Sequence, residues 1–495
     1  MHGSHCYAQC CGKHSWRRRD FLSASALAVG SALLNGCAPG SAARNGAVSM
    51  LAAAPRCGPG ANCVPTIHAA FVRRKGPYGM WWPGEVYDGD AARAMYTRKI
   101  QETGAQLRAN VTLRPEPLCS AAEADEWLAH ATQANCDGLL LVLLDRQQHA
   151  WPTADKAIDS GIPTVIYAPL GTAFTTNTAA PSRKAGAVIY CTDDFCQPAY
   201  GMKMLAAGAR MKATRVVVIH GSARSDGEFP RLGIKLRHVP ASTFLDLYRA
   251  MPENQEMQQI ADEYLARAKR VFGATRQDVL NGAHSYLVAR QIMRQEEADG
   301  ITMDCLGVLG PTKMSLPCLA WSRMNDDGIP AACEADLGAV ASHVVVQYLF
   351  DRPGFQQDPV PETVRKAVIG AHCSCPTRLN GFDKPPEPFY LRHHHAERDA
   401  TTQTIWRVGQ DVTCIDVLAE GKNKDVPRVL ISSGKVLENM KVPPSGGCVV
   451  SVMVKFDGVE DVLAFPGFHQ LFFYGSFKQH LVDFCRLFKL EAQVL

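Results

Sequence analysis

Between Ala332 and His372 the chain gathers Glu334, Asp358 and His372, two carboxylates and an imidazole. Asp358 follows Glu334 by 24 residues, and His372 follows Asp358 by 14. Hard oxygen donors plus an imidazole nitrogen suit a divalent metal ion, and carboxylates beside such an ion can move protons. Taken singly, each residue has an ordinary explanation. Glu334 precedes a stretch in which Leu337, Val340, Val344 and Tyr348 recur at helical spacing, where a carboxylate complements the helix dipole. Asp336 reads as the N-cap of that helix. Asp358 falls in a Gln-Gln-Asp-Pro turn, and His372 closes an expected strand, Ala367–Ala371.

The elements that must position these groups follow from the hydrophobic pattern. A chain of 495 residues exceeds one ordinary core, so two or three domains are expected. A run of alternating strands and helices begins at Thr66–Val72. It continues through Ala91–Leu107, Arg108–Leu113, Ala121–Gln133, Gly138–Leu144, Pro152–Ser160 and Thr164–Ala168. That alternation predicts a parallel sheet with helices on both faces. No Gly-x-Gly-x-x-Gly follows the first strand, which argues against a dinucleotide site. A second such lobe starts at Ala187–Cys191 and includes two long helical stretches, 255–272 and 276–297. From Tyr390 the pattern turns to short β runs separated by Gly, Asn and Asp, as in a small antiparallel barrel or sandwich. A closing helix follows, with Ser476 and Gln479 as an expected capping box.

The fold class expected is therefore α/β: two Rossmann-like parallel-sheet lobes followed by a small antiparallel β-barrel. The boundaries are a signal at 1–37, a linker at 38–62, an N-terminal α/β domain at 63–183, a second α/β domain with the metal site at 184–375, and the barrel with its closing helix at 376–495.

Arg18-Arg19-Asp20-Phe21-Leu22 reads as a twin-arginine export signal, with a short apolar run from Phe21 to Leu34. That run is shorter than the roughly 20 residues a membrane span needs. Leu34-Asn35-Gly36-Cys37 resembles a lipobox, making Cys37 the candidate lipidated residue; the alternative is an ordinary signal cut a few residues later. The expected location is the periplasm or cell envelope, with any membrane contact made through that anchor. A net charge of +4, spread without clusters, does not favour nucleic acid as a partner. Most of the 18 cysteines sit in apolar runs and read as small buried hydrophobes; Cys57 and Cys63, flanking Gly58-Pro59-Gly60, form the expected bridge. Tyr78, Trp81 and Trp82 lie in a loop after the first strand, where aromatic rings can stack on sugar faces or pack as a rim. His393-His394-His395 reads as a solvated surface tract.

Three segments resemble the sugar isomerases of the L-fucose/L-arabinose isomerase superfamily. Cys333-Glu334-Ala335-Asp336-Leu337-Gly338-Ala339 is similar to that family's Glu-x-Asp segment. Val368-Ile369-Gly370-Ala371-His372 is similar to a strand ending in a ligand histidine. Phe468-His469, continuing through Asp483-Phe484 to Glu491, is similar to the closing histidine, strand and helix. The resemblance spans mainly Gly300 to the C-terminus. It implies Mn²⁺, or another divalent metal, held by Glu334, Asp358 and His469, with His372 as a fourth ligand or a substrate contact. It further implies aldose–ketose isomerisation of an open-chain monosaccharide through a cis-enediol, with Glu334 removing the C2 proton and Asp358 assisting. Tyr78, Trp81 and Trp82, from a neighbouring subunit of a homo-oligomer (trimer or hexamer), would help to hold the sugar. Two other readings stay open: an exported glycan-processing enzyme (epimerase, lyase or glycosidase) on the same fold, or a tethered sugar-binding lipoprotein.

Overall fold

The computed structural model describes residues 53–75, 88–146, 149–312, 314–394, 398–419, 425–440 and 448–495. Arg18, Arg19, Cys37, Tyr78, Trp81, Trp82 and His395 lie outside the described residues.

The first lobe is a five-stranded parallel sheet of β1 (Thr66–Val72), β2 (Asn110–Leu113), β3 (Gly138–Leu143), β4 (Thr164–Ala168) and β5 (Ala187–Cys191), in the order β2-β1-β3-β4-β5. The residues of β3, Gly-Leu-Leu-Leu-Val-Leu, are all buried. A strand with helices on both faces needs such a continuous apolar run. The helix Ala121–Gln133 is started by Ser120, whose hydroxyl accepts from the Glu123 amide, while Glu123 reaches back to the Cys119 amide at 2.7 Å.

The second lobe holds β6 (Arg215–Ile219), β7 (Ser225–Glu228), β8 (Lys235–Val239), β9 (Arg270–Phe272), β10 (Gly300–Met303) and β11 (Ala331–Cys333). Its main sheet runs β11-β10-β6-β8-β7, parallel except for β7. The stretch 255–272, expected as one helix, is the helix Gln255–Arg267 followed by β9.

The C-terminal part contributes β12 (Phe355–Glu362), β13 (Ala367–His372), β14 (Phe389–His393), β15 (Ala400–Thr404), β16 (Asp411–Leu418), β17 (Arg428–Asn439), β18 (Val450–Phe456), β19 (Gln470–Tyr474) and β20 (Glu491–Val494). Six of these close a barrel, β16-β19-β12-β13-β18-β17 with β17 back on β16; every pairing within it is antiparallel. β20 runs parallel beside β17. The staves β12 and β13 precede residue 376, so the barrel borrows two strands from the stretch assigned to the second domain. β14 and β15 stay outside it and pair with β9 in a separate three-stranded sheet.

One helix ties these parts together. Leu337–Phe350 is buried at every position from Ala339 onward. It packs on β10 and β11 of the second lobe, on β16 and β19 of the barrel, and on the helix Cys196–Ala213 of the first lobe. A helix apolar on all sides is stable only when surrounded in this way.

Several local expectations change. Residues Gly58–Asn62, read as linker, are docked: the buried Asp299 carboxylate accepts the Gly60 and Ala61 amides, each at 2.9 Å. Cys57 and Cys63 are both free thiols, as are all described cysteines; Cys57 donates to the Ala298 carbonyl at 3.3 Å instead. The closing helix is Lys478–Phe488 with Phe477 at the N-cap, so Ser476 lies before the cap and forms no capping box. His393 is partly buried and lies 3.3 Å from Asp278. Among the described residues no helix is long and apolar enough to cross a membrane.

Candidate metal centre

Glu334 follows β11 directly, at the carboxyl edge of the second lobe's sheet. It and Ala335 both have left-handed backbone, with φ of +64° and +53°. Two successive non-glycine residues there cost about 1–2 kcal/mol each. The turn is held by the Ala335 amide, which donates to the Met303 carbonyl at 2.9 Å. Asp336 then caps the long helix, accepting the Ala339 amide at 2.8 Å.

Asp358 lies within β12, not in a turn, and shares that strand's outward face with Gln356. The Gln356 side-chain oxygen, Oε1, accepts the Cys333 amide at 2.8 Å, which fastens β12 beside β11 and so brings Asp358 toward Glu334. Pairing of β12 with β19 stops at Gln357↔Gln470. Pro359 and Pro361 occur just beyond that point, where the strand has no neighbour on that side and a missing N–H leaves no ladder bond unmade.

His469 immediately precedes β19, again in left-handed backbone with φ of +56°. Its loop turns through Gly467 (φ +89°), where a Cβ would come within 2.6 Å of an Asp416 carboxylate oxygen, so only glycine fits. His372 ends β13; its Nδ1 is 3.5 Å from the Ser374 hydroxyl and its ring centroid 5.7 Å from that of His469.

Four of the expected residues thus come together. His469 Nε2 lies 3.4 Å from Glu334 Oε2 and 3.3 Å from Asp358 Oδ1. His372 Nε2 is 4.0 Å from Glu334 Oε1. Donor atoms of Glu334, His372 and His469 all fall within 4.8 Å of one another. Asp358 joins through its short approach to His469. On its other side, His469 Nδ1 bonds Asp336 Oδ2 at 2.9 Å. A carboxylate only accepts, so Nδ1 carries a proton toward Asp336, and in the metal-free protein Nε2 carries a second one toward Glu334 and Asp358; an ion bound there would take the place of that second proton. The sequence pattern identified Asp336 as a cap; its second role, orienting His469, depends on a contact across 133 residues of chain. The Glu-x-Asp spacing was the one local signal for it.

The electrostatics are those of a buried charged imidazole among carboxylates. His469 is raised to about 10: burial opposes its charge, but the bonds to Asp336 and Glu334 and the field of Asp358 outweigh it. The bond to His469 holds Glu334 below the usual carboxylate range. Burial would raise Asp336, but the His469 and helix amide bonds bring it low. Burial pushes Asp358 up to about 6. Three carboxylates thus surround one imidazole, an excess of negative charge that a divalent ion balances better than one proton does. Asp358 Oδ1 and His469 Nε2 are both buried, and Nε2 reaches the Glu334 and Asp358 oxygens only through long ion-pair contacts of 3.4 and 3.3 Å. Atoms bound side by side to one ion at about 2.1 Å sit about 3 Å apart, close to the separations here. The residues therefore fit a divalent metal.

No protein-family model matches the chain, and no curated protein matches it.

Proposed function

We propose that the protein is a metal-dependent aldose–ketose isomerase-like enzyme that acts on an open-chain monosaccharide, with Mn²⁺ or another divalent ion as cofactor. The observation that carries this reading is the approach of Glu334 and Asp358 to His469 Nε2, at 3.4 and 3.3 Å, where the β12–β19 ladder ends. The resemblance of the Glu334, His372 and His469 segments to the L-fucose/L-arabinose isomerase superfamily points to the same chemistry.

Glu334, Asp358 and His469 would hold the ion, and His372 would complete the set or meet the substrate. When bound, the ion polarises a carbonyl and an adjacent hydroxyl and lowers the barrier to removing the proton between them. Glu334, ionised and one-third exposed, is the base for the C2 proton. Asp358, with a carboxyl pushed up to about 6, exchanges protons readily near neutrality and serves the oxygens or C1. Asp336 fixes the His469 ring so that Nε2 alone faces the reacting centre. Phe468 is 59% exposed beside His469, with ring centroids 4.5 Å apart, and offers an apolar face to the sugar. A tethered binding protein has no use for three carboxylates around an imidazole, which favours the enzyme. Export by the Arg18-Arg19 signal, and assembly as a homo-oligomer, belong to the same proposal.

The test is to purify the full chain, measure bound metal, and assay a panel of aldoses and ketoses with manganese chloride. The proposal expects stoichiometric metal and interconversion of at least one pair. Metal with no interconversion would move the reading to glycan processing; sugar binding without metal would move it to a binding protein.

A further inference from the structure

The mouth of the barrel contains polar groups that the proposed chemistry does not use. Val412, Cys414, Phe472 and Tyr474 belong to the barrel's interior core. By strand alternation Asp416 and Gln470 face the same way. The ladder ends at Ile415↔Leu471, one residue short of Asp416 and Gln470, but a Cβ at Gly467 would meet Asp416 Oδ2 at 2.6 Å and the Gln470 amide nitrogen at 2.7 Å, so the two side chains border the same space; Gln470 pairs with Gln357 on β12. Ser432 pairs with Cys414 on the neighbouring stave. Asp416 and Ser432 are 1% exposed, Gln357 and Gln470 not at all.

The hydrogen bonds fix which atoms face inward. The Gln470 amide nitrogen donates to the Pro466 carbonyl, so its oxygen accepts from the Gln357 amide nitrogen at 3.0 Å. This leaves the Gln357 carbonyl oxygen without a partner, together with Asp416 Oδ2 and the Ser432 hydroxyl. Two acceptors and a hydroxyl, all buried, hold a single O–H between them, so at least one acceptor, the carboxylate or the amide oxygen, is left for a cation. Burying a carboxylate in this way is unfavourable unless a cation or proton answers it. There is a single carboxylate in the set, whereas divalent hard cations generally take more.

We propose that the barrel mouth is a binding site for a monovalent alkali cation, held by Asp416, Gln357 and Ser432. Asp416 also receives the Phe468 amide, so an ion there steadies the loop that presents His469. The proposal stands apart from the isomerase reading, because it uses none of the groups assigned to that chemistry.

The experiment is thermal unfolding of the full chain in sodium, potassium or tetramethylammonium chloride at equal ionic strength, for wild type, Asp416→Asn and Gln357→Leu. Sodium or potassium should raise the wild-type Tm above its value in tetramethylammonium, saturating with concentration. Both variants should lose that rise. Sodium-23 NMR of the wild type should show line broadening that potassium reverses, a readout that survives if a variant fails to fold. Equal Tm values in all three salts with no broadening would mean that water fills the mouth. A rise retained in folded Asp416→Asn would place the ion elsewhere. Either result overturns the proposal.

Discussion

His469 gives its Nδ1 proton to Asp336 at 2.9 Å, and the same Asp336 caps the helix Leu337–Phe350 through the Ala339 amide at 2.8 Å. One side chain thus starts the central helix and sets the tautomer of the histidine that faces Glu334 and Asp358. The nitrogen proposed to bind metal is thereby registered to the buried central helix.

These two roles can be separated by substitution. Asparagine caps helices about as well as aspartate, but it lacks the charge that strengthens an imidazole as a ligand. Asp336→Asn should keep the helix cap, lower Tm through the lost ion pair with His469, and weaken metal binding by about 10–100-fold. Asp336→Ala should lose the cap as well, destabilising by about 1 kcal/mol more. Calorimetric titration with manganese chloride, alongside thermal unfolding, checks both; equal metal affinity in wild type and Asp336→Asn would remove Asp336 from the site.

Glu334→Gln tests the base. Its side chain is one-third exposed, so the fold should persist. Turnover should fall by at least about 10²–10⁴-fold, the usual contribution of general acid–base catalysis. Circular dichroism and the rate on the best sugar of the panel decide it; retained activity would exclude Glu334 from proton transfer.

Protonation gives a prediction with a definite sign. Asp358 is raised from 3.8 to about 6. Its contribution to stability is full below 3.8 and is lost as pH rises through about 6. His469 is raised from 6.5 to about 10, so its contribution is full below 6.5 and is lost as pH rises through about 10. Both groups must release protons to bind a metal ion. Through these two groups the metal-free protein should therefore lose stability from about pH 4 to about pH 10, while the stabilisation by manganese grows over that interval. Tm measured with and without the metal checks this; a manganese effect that shrinks with rising pH would contradict it.

The left-handed turn at Glu334-Ala335 offers a fourth test. Ala335 has φ of +53°. Glycine adopts that conformation freely, whereas a β-branched residue does not. Ala335→Gly should leave stability within about 1 kcal/mol of wild type, and Ala335→Val should destabilise by more than that. Denaturant unfolding measures both; a tolerated valine would mean that the turn is not constrained.

Much of the α/β part was readable because its signals are local. The strands Thr164–Ala168 and Ala187–Cys191 and the helix Ala121–Gln133 lie where hydrophobic period and capping residues put them. The misreadings occur where a distant partner decides. Arg270–Phe272 is a strand because Tyr390–Arg392 lies beside it. Asp358 looked like a turn residue because of Pro359, but its strand loses its β19 neighbour where the prolines begin. Glu334, Asp358 and His372 stood out by residue type and spacing and His469 through the resemblance of its segment; the structure brings the four side chains together. The roles of Asp336, Gln356 and Asp416 did not stand out, since each acts on a residue far along the chain or on another strand.

The most direct measurement is proton exchange at the substrate. The metal-loaded full chain would be incubated with the aldose panel in deuterium oxide and the sugars read by NMR. The account predicts manganese-dependent deuterium incorporation, accompanied by ketose, that Glu334→Gln abolishes. A metal-loaded wild type that neither exchanges nor isomerises any sugar of the panel would contradict it.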